Sequence, residues 1–136
     1  MNERTYCDGA VIQISARNFD DERGRLCPIE FPIMGFSPML AFVINGVPGS
    51  VRGGHGHKIA QQLLMLVSGK IEVELRYGNS AETVLLDQDN RIILIKPMVW
   101  SRQKYLTENA SLMVFSDIHY DPDEYFQGEY APAGDG

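Results

Sequence analysis

Cysteine is nearly absent from this chain, with Cys7 and Cys27 the only two among 136 residues. They form no C-x-x-C pair and no disulfide framework, so two reduced thiols in a cytoplasmic protein are the expectation. No apolar run approaches the roughly 20 residues that a membrane helix needs. The opening MNERTYCDGA lacks the apolar middle of a secretory leader. Basic residues are outnumbered: the formal net charge is −6, which argues against nucleic acid as partner. A phosphate-bearing small molecule is still compatible, because a few local arginines suffice to hold one. Helical periodicity is also missing over any useful length. At 44% apolar and 22% charged the composition is globular. The length suits one domain, 1–136, with an ordered core over about 10–127.

What the chain does have is short strands. Ile71, Val73 and Leu75 alternate with Glu72, Glu74 and Arg76, the period-two pattern of a half-buried strand over Lys70–Tyr77. Leu63 to Val67 is apolar at every position and fits a strand buried on both faces. Ala10–Ala16, Met39–Asn45, Glu82–Leu86, Arg91–Lys96 and Ala110–Asp117 complete the set, with turns such as Asn45-Gly46-Val47-Pro48-Gly49 between them. Strands spaced by roughly 8–12 residues indicate an all-β sandwich or barrel. The single helical signal is Asp121–Phe126, with Asp121 as N-cap and Pro122 at the first position. The tail Tyr130–Gly136 is expected to fray.

Only three histidines occur, and two share the stretch Arg52-Gly53-Gly54-His55-Gly56-His57-Lys58. On a strand they point to one side. Two imidazoles facing a barrel interior are costly unless hydrogen-bonded or facing a wet cavity. Three readings are open. The first is a metal site: H-x-H resembles the start of the three-His, one-Glu set of metal-binding cupins, but Gln61 and Gln62 stand where the Glu falls, and only His119 remains as a third imidazole. The second is acid–base chemistry, since neighbouring imidazoles disfavour joint protonation and keep one ring a free base. The third is that both rings cap strand hydrogen bonds.

The ordered motifs resemble the cupin-type sugar-nucleotide 3,4-ketoisomerases. Asp21-Glu22-Arg23-Gly24 is similar to their D-x-R-G turn. Arg52 to Lys58 is similar to R-G-x-H-A-H-K, with Gln62 and Gly69 following at family spacing. Pro97-Met98-Val99-Trp100 resembles P-x-x-W, and Ser116-Asp117-Ile118-His119-Tyr120-Asp121 with Asp123-Glu124-Tyr125 resembles S-D-x-x-Y-D-E-x-D-Y.

The resemblance implies an all-β cupin, a double-stranded β-helix or jelly-roll barrel with a short C-terminal helix. It also implies a homodimer with no metal and no cofactor, acting on a dTDP-linked 4-oxo-6-deoxyhexose. The ketone would move from C4 to C3 through an enediol. Carried over, His57 is the carbon base and His55 shuttles protons at the oxygens. Arg52 and Arg23 are candidates for the diphosphate, and Gln62 and Tyr125 for substrate contacts; Trp100 and Phe42 are candidates to pack on the base or sugar. The chain departs from the family where a Lys-Arg pair and a Tyr commonly precede H-x-H: here stand Met39-Leu40 and Phe42. Ser101 replaces a frequent His after the Trp, and Gln127 stands near a frequent Arg. Arg102, two residues beyond Trp100, is the candidate to replace a lost cation. A relative that binds without turnover is the alternative function, and a metal-dependent cupin a further one.

Overall fold

A computed structural model describes residues 3–15 and 17–127. Thirteen strands are present: β1 Arg4–Tyr6, β2 Val11–Ile14, β3 Phe19–Asp21, β4 Gly24–Leu26, β5 Leu40–Gly46, β6 Val51–His57, β7 Gln62–Ser68, β8 Ile71–Tyr77, β9 Ser80–Leu86, β10 Ile92–Ile95, β11 Trp100–Tyr105, β12 Ala110–Ser116 and β13 Tyr125–Phe126. A six-stranded sheet runs β1-β2-β10-β7-β12-β5, a five-stranded sheet β13-β6-β11-β8-β9, and β3–β4 form a separate hairpin. Every pairing between strands is antiparallel. The chain is therefore the all-β jelly roll that its motifs imply.

The two sheets are closed on each other by one shared core. Val11, Leu64, Leu66, Ile93, Leu112 and Val114 from the larger sheet meet Ile71, Val73, Leu75, Val84, Leu86 and Tyr105 from the smaller. The larger sheet is covered on its other face as well: Leu63, Ile92 and Leu94 pack with Phe36 and, around them, Ile29, Phe31 and Met34. This double burial explains why β7 and β10 are apolar without alternation. Over β8 the outer face of the smaller sheet is partly open to water, so the strand alternates: Ile71, Val73 and Leu75 are fully buried while Glu72 is exposed and Glu74 half-buried.

The helix expected over Asp121–Phe126 is not formed. A single 3-10 turn, Pro122–Glu124, is followed at once by β13. The cap itself is as expected, the Asp121 carboxylate accepting from the Asp123 amide at 3.0 Å. The turn stops because Tyr125 and Phe126 find strand partners in His57 and Gly56; sheet pairing overrides the local helical signal. Both cysteines are unpaired. No described helix is long and apolar enough to cross a membrane. Ala16, the end of the first expected strand, and the tail Tyr130–Gly136 lie outside the described residues.

One glycine is fixed by packing. A Cβ on Gly46 at the end of β5 would fall within the Tyr105 ring. Gly46→Ala is expected to cost about 1–3 kcal/mol through overpacking, seen as a lower urea midpoint at unchanged slope.

Candidate active site

Strand β6 carries the site, and its shape comes from a bulge. Along the β6–β11 pairing, Arg52 faces Gln103, Gly53 faces Arg102 and His55 faces Ser101, with a register shift between Ser101 and Arg102. The extra residue is accommodated by Gly53 at φ 93° and Gly54 at φ 82°, values that only glycine adopts cheaply. Because of it, Arg52 and His55, three residues apart, point to the same side. That side is the barrel interior, since Ser101 lies opposite the buried Leu75 of β8.

A cavity of about 190 Å³ opens there. Its polar lining is Arg52, His55, Gln62 and Gln103; Phe42, Ile44, Leu64 and Val114 supply apolar wall. Arg52 makes no ion pair among the described residues, which leaves its guanidinium for an anionic ligand.

His57 lies beyond His55 on the same strand face, the ring centroids 5.7 Å apart. Tyr125 covers both, at 4.4 Å from the His57 centroid and 4.9 Å from that of His55. His57 is buried, and its Nδ1 is hydrogen-bonded to the Glu124 carboxylate. Its Nε2 is buried and has no hydrogen-bond partner among the described residues. Burial lowers the pKa of His55, and the neighbouring His57 lowers it further; a hydrogen bond with the Gly53 backbone and the Glu124 charge oppose the shift. His55 therefore stays neutral to lower pH than an ordinary histidine. Burial pushes the Glu124 carboxyl up. The bond to His57 and those from the Ile59 and Ala60 amides outweigh that and hold it below the usual range. Burial, with the Glu124 and Tyr120 charges, raises the pKa of Tyr125, so its hydroxyl keeps its proton.

The expected residues are thus divided. Arg52, His55 and Gln62 share the cavity, and His57 and Tyr125 adjoin it. Trp100 and Arg102 do not: in β11 they alternate with the inward Ser101 and Gln103, and they pair with Arg76 and Glu74 of β8. On that outer face Arg102 donates to Glu74 at 2.6 Å, and both Arg76 and Arg102 lie over the Trp100 ring. Arg102 thus lies outside the cavity of Arg52 and His55. Arg23 is in the β3–β4 turn, exposed, with its guanidinium on Asp21 at 2.6 Å. Phe42 does line the cavity. Among the described residues no group of three or more His, Cys, Asp or Glu side chains is placed to hold a metal, and His119 does not join the pair. The residues missed by sequence reasoning are Glu124 and Gln103. The available signal for Glu124 was the acidic pair directly before Tyr125.

A jelly roll with one imidazole lining an interior cavity and a second beside it tied to a buried carboxylate places the protein among the cupin-like barrels. The chain belongs to the FdtA family (WxcM-like, C-terminal), whose model matches residues 10–131. It is 28% identical over 116 residues to the TDP-4-oxo-6-deoxy-α-D-glucose-3,4-oxoisomerase of Aneurinibacillus thermoaerophilus, covering 84% of each chain. It is also similar to a double mutant of the QdtA 3,4-ketoisomerase from Thermoanaerobacterium thermosaccharolyticum in complex with TDP. There the TM-score is 0.83 at 28% identity, over 90% of this chain and 91% of that one. The TDP-quinovose 3,4-ketoisomerase WlaRB of Campylobacter jejuni gives a TM-score of 0.76 at 27% identity, over 85% and 92%.

Proposed function

We propose that this protein is a 3,4-ketoisomerase of a TDP-linked 4-oxo-6-deoxyhexose, working as one cytoplasmic domain. The carrying observation is the pair of imidazoles on one strand face beside a cavity that also presents Arg52, which has no ion pair among the described residues. The C4 carbonyl acidifies the hydrogen on C3. His57 removes that proton, and the electron pair forms the C3–C4 double bond of an enediolate with charge on O4. His55 delivers a proton to O4 and takes the one on O3; as the O3 carbonyl forms, the His57 imidazolium, having exchanged with solvent, gives its proton to C4 and is neutral again. The ketone then stands at C3, and no proton or electron is gained overall. Neutral His55 suits a group that both accepts and donates. Arg52 holds the diphosphate, while Gln62 and Tyr125 contact the sugar.

The test is incubation with TDP-4-oxo-6-deoxyglucose in deuterated water. A 3-oxo product carrying solvent deuterium at carbon is expected; unchanged, unlabelled sugar overturns the proposal. One feature favours a second reading, binding without turnover: Phe42 lines the cavity without a hydroxyl. Calorimetric binding of the nucleotide sugar with no exchange selects it. Metal analysis of the purified protein tests the metal-dependent alternative.

Arg52→Ala is expected to raise KM about tenfold or more, the value of a lost charge-assisted contact, with kcat within a few-fold. A matched fall in kcat alone would remove Arg52 from the binding role.

A homodimer belongs to this proposal. Among the described residues strand β5 pairs only with β12, and it exposes Phe42 and Val43 with Met39 beside them. Such an edge invites a second chain. Light scattering should give twice the chain mass.

A further inference from the structure

We propose that Glu124 is a positioning residue for His57, fixing the imidazole as the tautomer that bears its proton on Nδ1 and leaves Nε2 bare. The kinetic part of this inference rests on the isomerase reading; the tautomer itself does not.

The segment after β12 sets the geometry. Asp121 caps the turn Pro122–Glu124, and β13 clips onto β6 with Tyr125 opposite His57. The Lys58 amide donates to the Glu124 carbonyl at 2.8 Å, so the backbone of Glu124 is fixed beside the end of β6. Its carboxylate, 5% exposed, is then held by its own contacts. Oε2 accepts from the amides of Ile59 and Ala60 at 3.2 and 3.3 Å, leaving Oε1 to meet Nδ1 of His57.

Two amide donors on one oxygen favour the ionised form, and an ionised carboxylate only accepts. Nδ1 must therefore be the donor, and Nε2 is the free lone pair. That nitrogen is the buried imidazole atom without a partner among the described residues. When His57 takes a proton from carbon, the imidazolium forms against an anion already in place. Orienting carboxylates behind histidine bases and ligands act in this way. The groups packed around His57 are His55 on its own strand, Glu124 from the turn, and Tyr125 from β13 with Tyr120 behind it. Glu124 is the only carboxylate in contact with the ring among them.

The competing view is that Glu124 merely fastens the C-terminal clip to the barrel. Nitrogen-15 NMR of histidine-labelled wild-type protein separates the two. At neutral pH His57 should show a protonated Nδ1 and an unprotonated Nε2; a proton on Nε2 overturns the inference whether or not any sugar is isomerised. In kinetics, Glu124→Gln should lower kcat about 10- to 100-fold with KM within about twofold. Glu124→Asp should recover part of kcat. An unchanged kcat in a folded Glu124→Gln protein overturns the inference. Should that variant fail to fold, the wild-type spectrum decides. A wild-type enzyme that turns over no TDP-oxo-sugar defeats the proposed function, and the spectrum still tests the role of Glu124.

Discussion

His57→Asn is expected to lower turnover by about 10²–10⁴-fold, the usual worth of a general base, while leaving the barrel folded. Asparagine keeps an amide that can donate to the Glu124 carboxylate, so the buried anion is not abandoned, which is what makes breaking a buried pair so damaging. What is lost is a lone pair of suitable basicity. The ring's neighbours cannot supply it: Tyr125 keeps its proton, since its pKa is raised, and His55 occupies a different position, 5.7 Å away between centroids. Deuterium incorporation should fall by the same factor as product formation, because one proton removal feeds both. Binding of TDP alone should stay near wild type, since the proposed phosphate contact is Arg52. A His57→Asn protein that exchanges carbon-bound hydrogen at the native rate would transfer the base to another residue and end the proposed mechanism.

The second large effect is expected at Gly53. Its φ of 93° lies in the region that side chains rarely adopt, and a Cβ there would stand 2.9 Å from the Ser101 carbonyl oxygen and 3.2 Å from the Arg102 Cα. Both neighbours are backbone of β11 and cannot rotate away. Gly53→Val therefore combines backbone strain of about 1–3 kcal/mol with overpacking of similar size, against a total domain stability of about 5–15 kcal/mol. Melting should drop by roughly 10 °C or more. Surviving protein should lose more than tenfold in kcat/KM, since the bulge aims Arg52 and His55 together. Gly54→Ala supplies the comparison. It has φ 82° but only a Trp100 ring atom at 4.0 Å, so strain acts almost alone and the drop should be smaller. Calorimetry on the pair checks the order; equal melting points for Gly53→Val and wild type would show that the bulge relaxes freely.

The strands most legible in the sequence are those with a one-sided or a fully two-sided burial. β8 alternates because one face meets the core and the other meets water. β7 and β10 lack alternation because Phe36 and the residues around it cover their second face. β11 is hidden for a physical reason: over its first four residues the inward side holds Ser101 and Gln103 beside the cavity and the outward side holds Trp100 and Arg102, and only Lys104 and Tyr105 at its end keep the usual polarity of the pleat. A strand that lines a polar cavity loses the pattern by which strands are recognised. The same reversal puts Trp100 and Arg102 on the outer face, although their motif suggests the pocket. The histidine pair is legible because a spacing of two places both rings together on any strand. Arg52 joins them only through the bulge, and Glu124 only through pairing with a strand 67 residues earlier; a local pattern contains neither relation.

The C-terminal clip carries a wider consequence. β13 adds just two residues to the edge of β6, yet it brings the aromatic cover and the acid that complete the proton-handling groups. Local opening is cheapest where few buried contacts and few ladder bonds must be released. The cover and the acid are pinned by the amides of Lys58, Ile59 and Ala60, so the release of one short segment would remove both together and switch the chemistry off without disturbing the core.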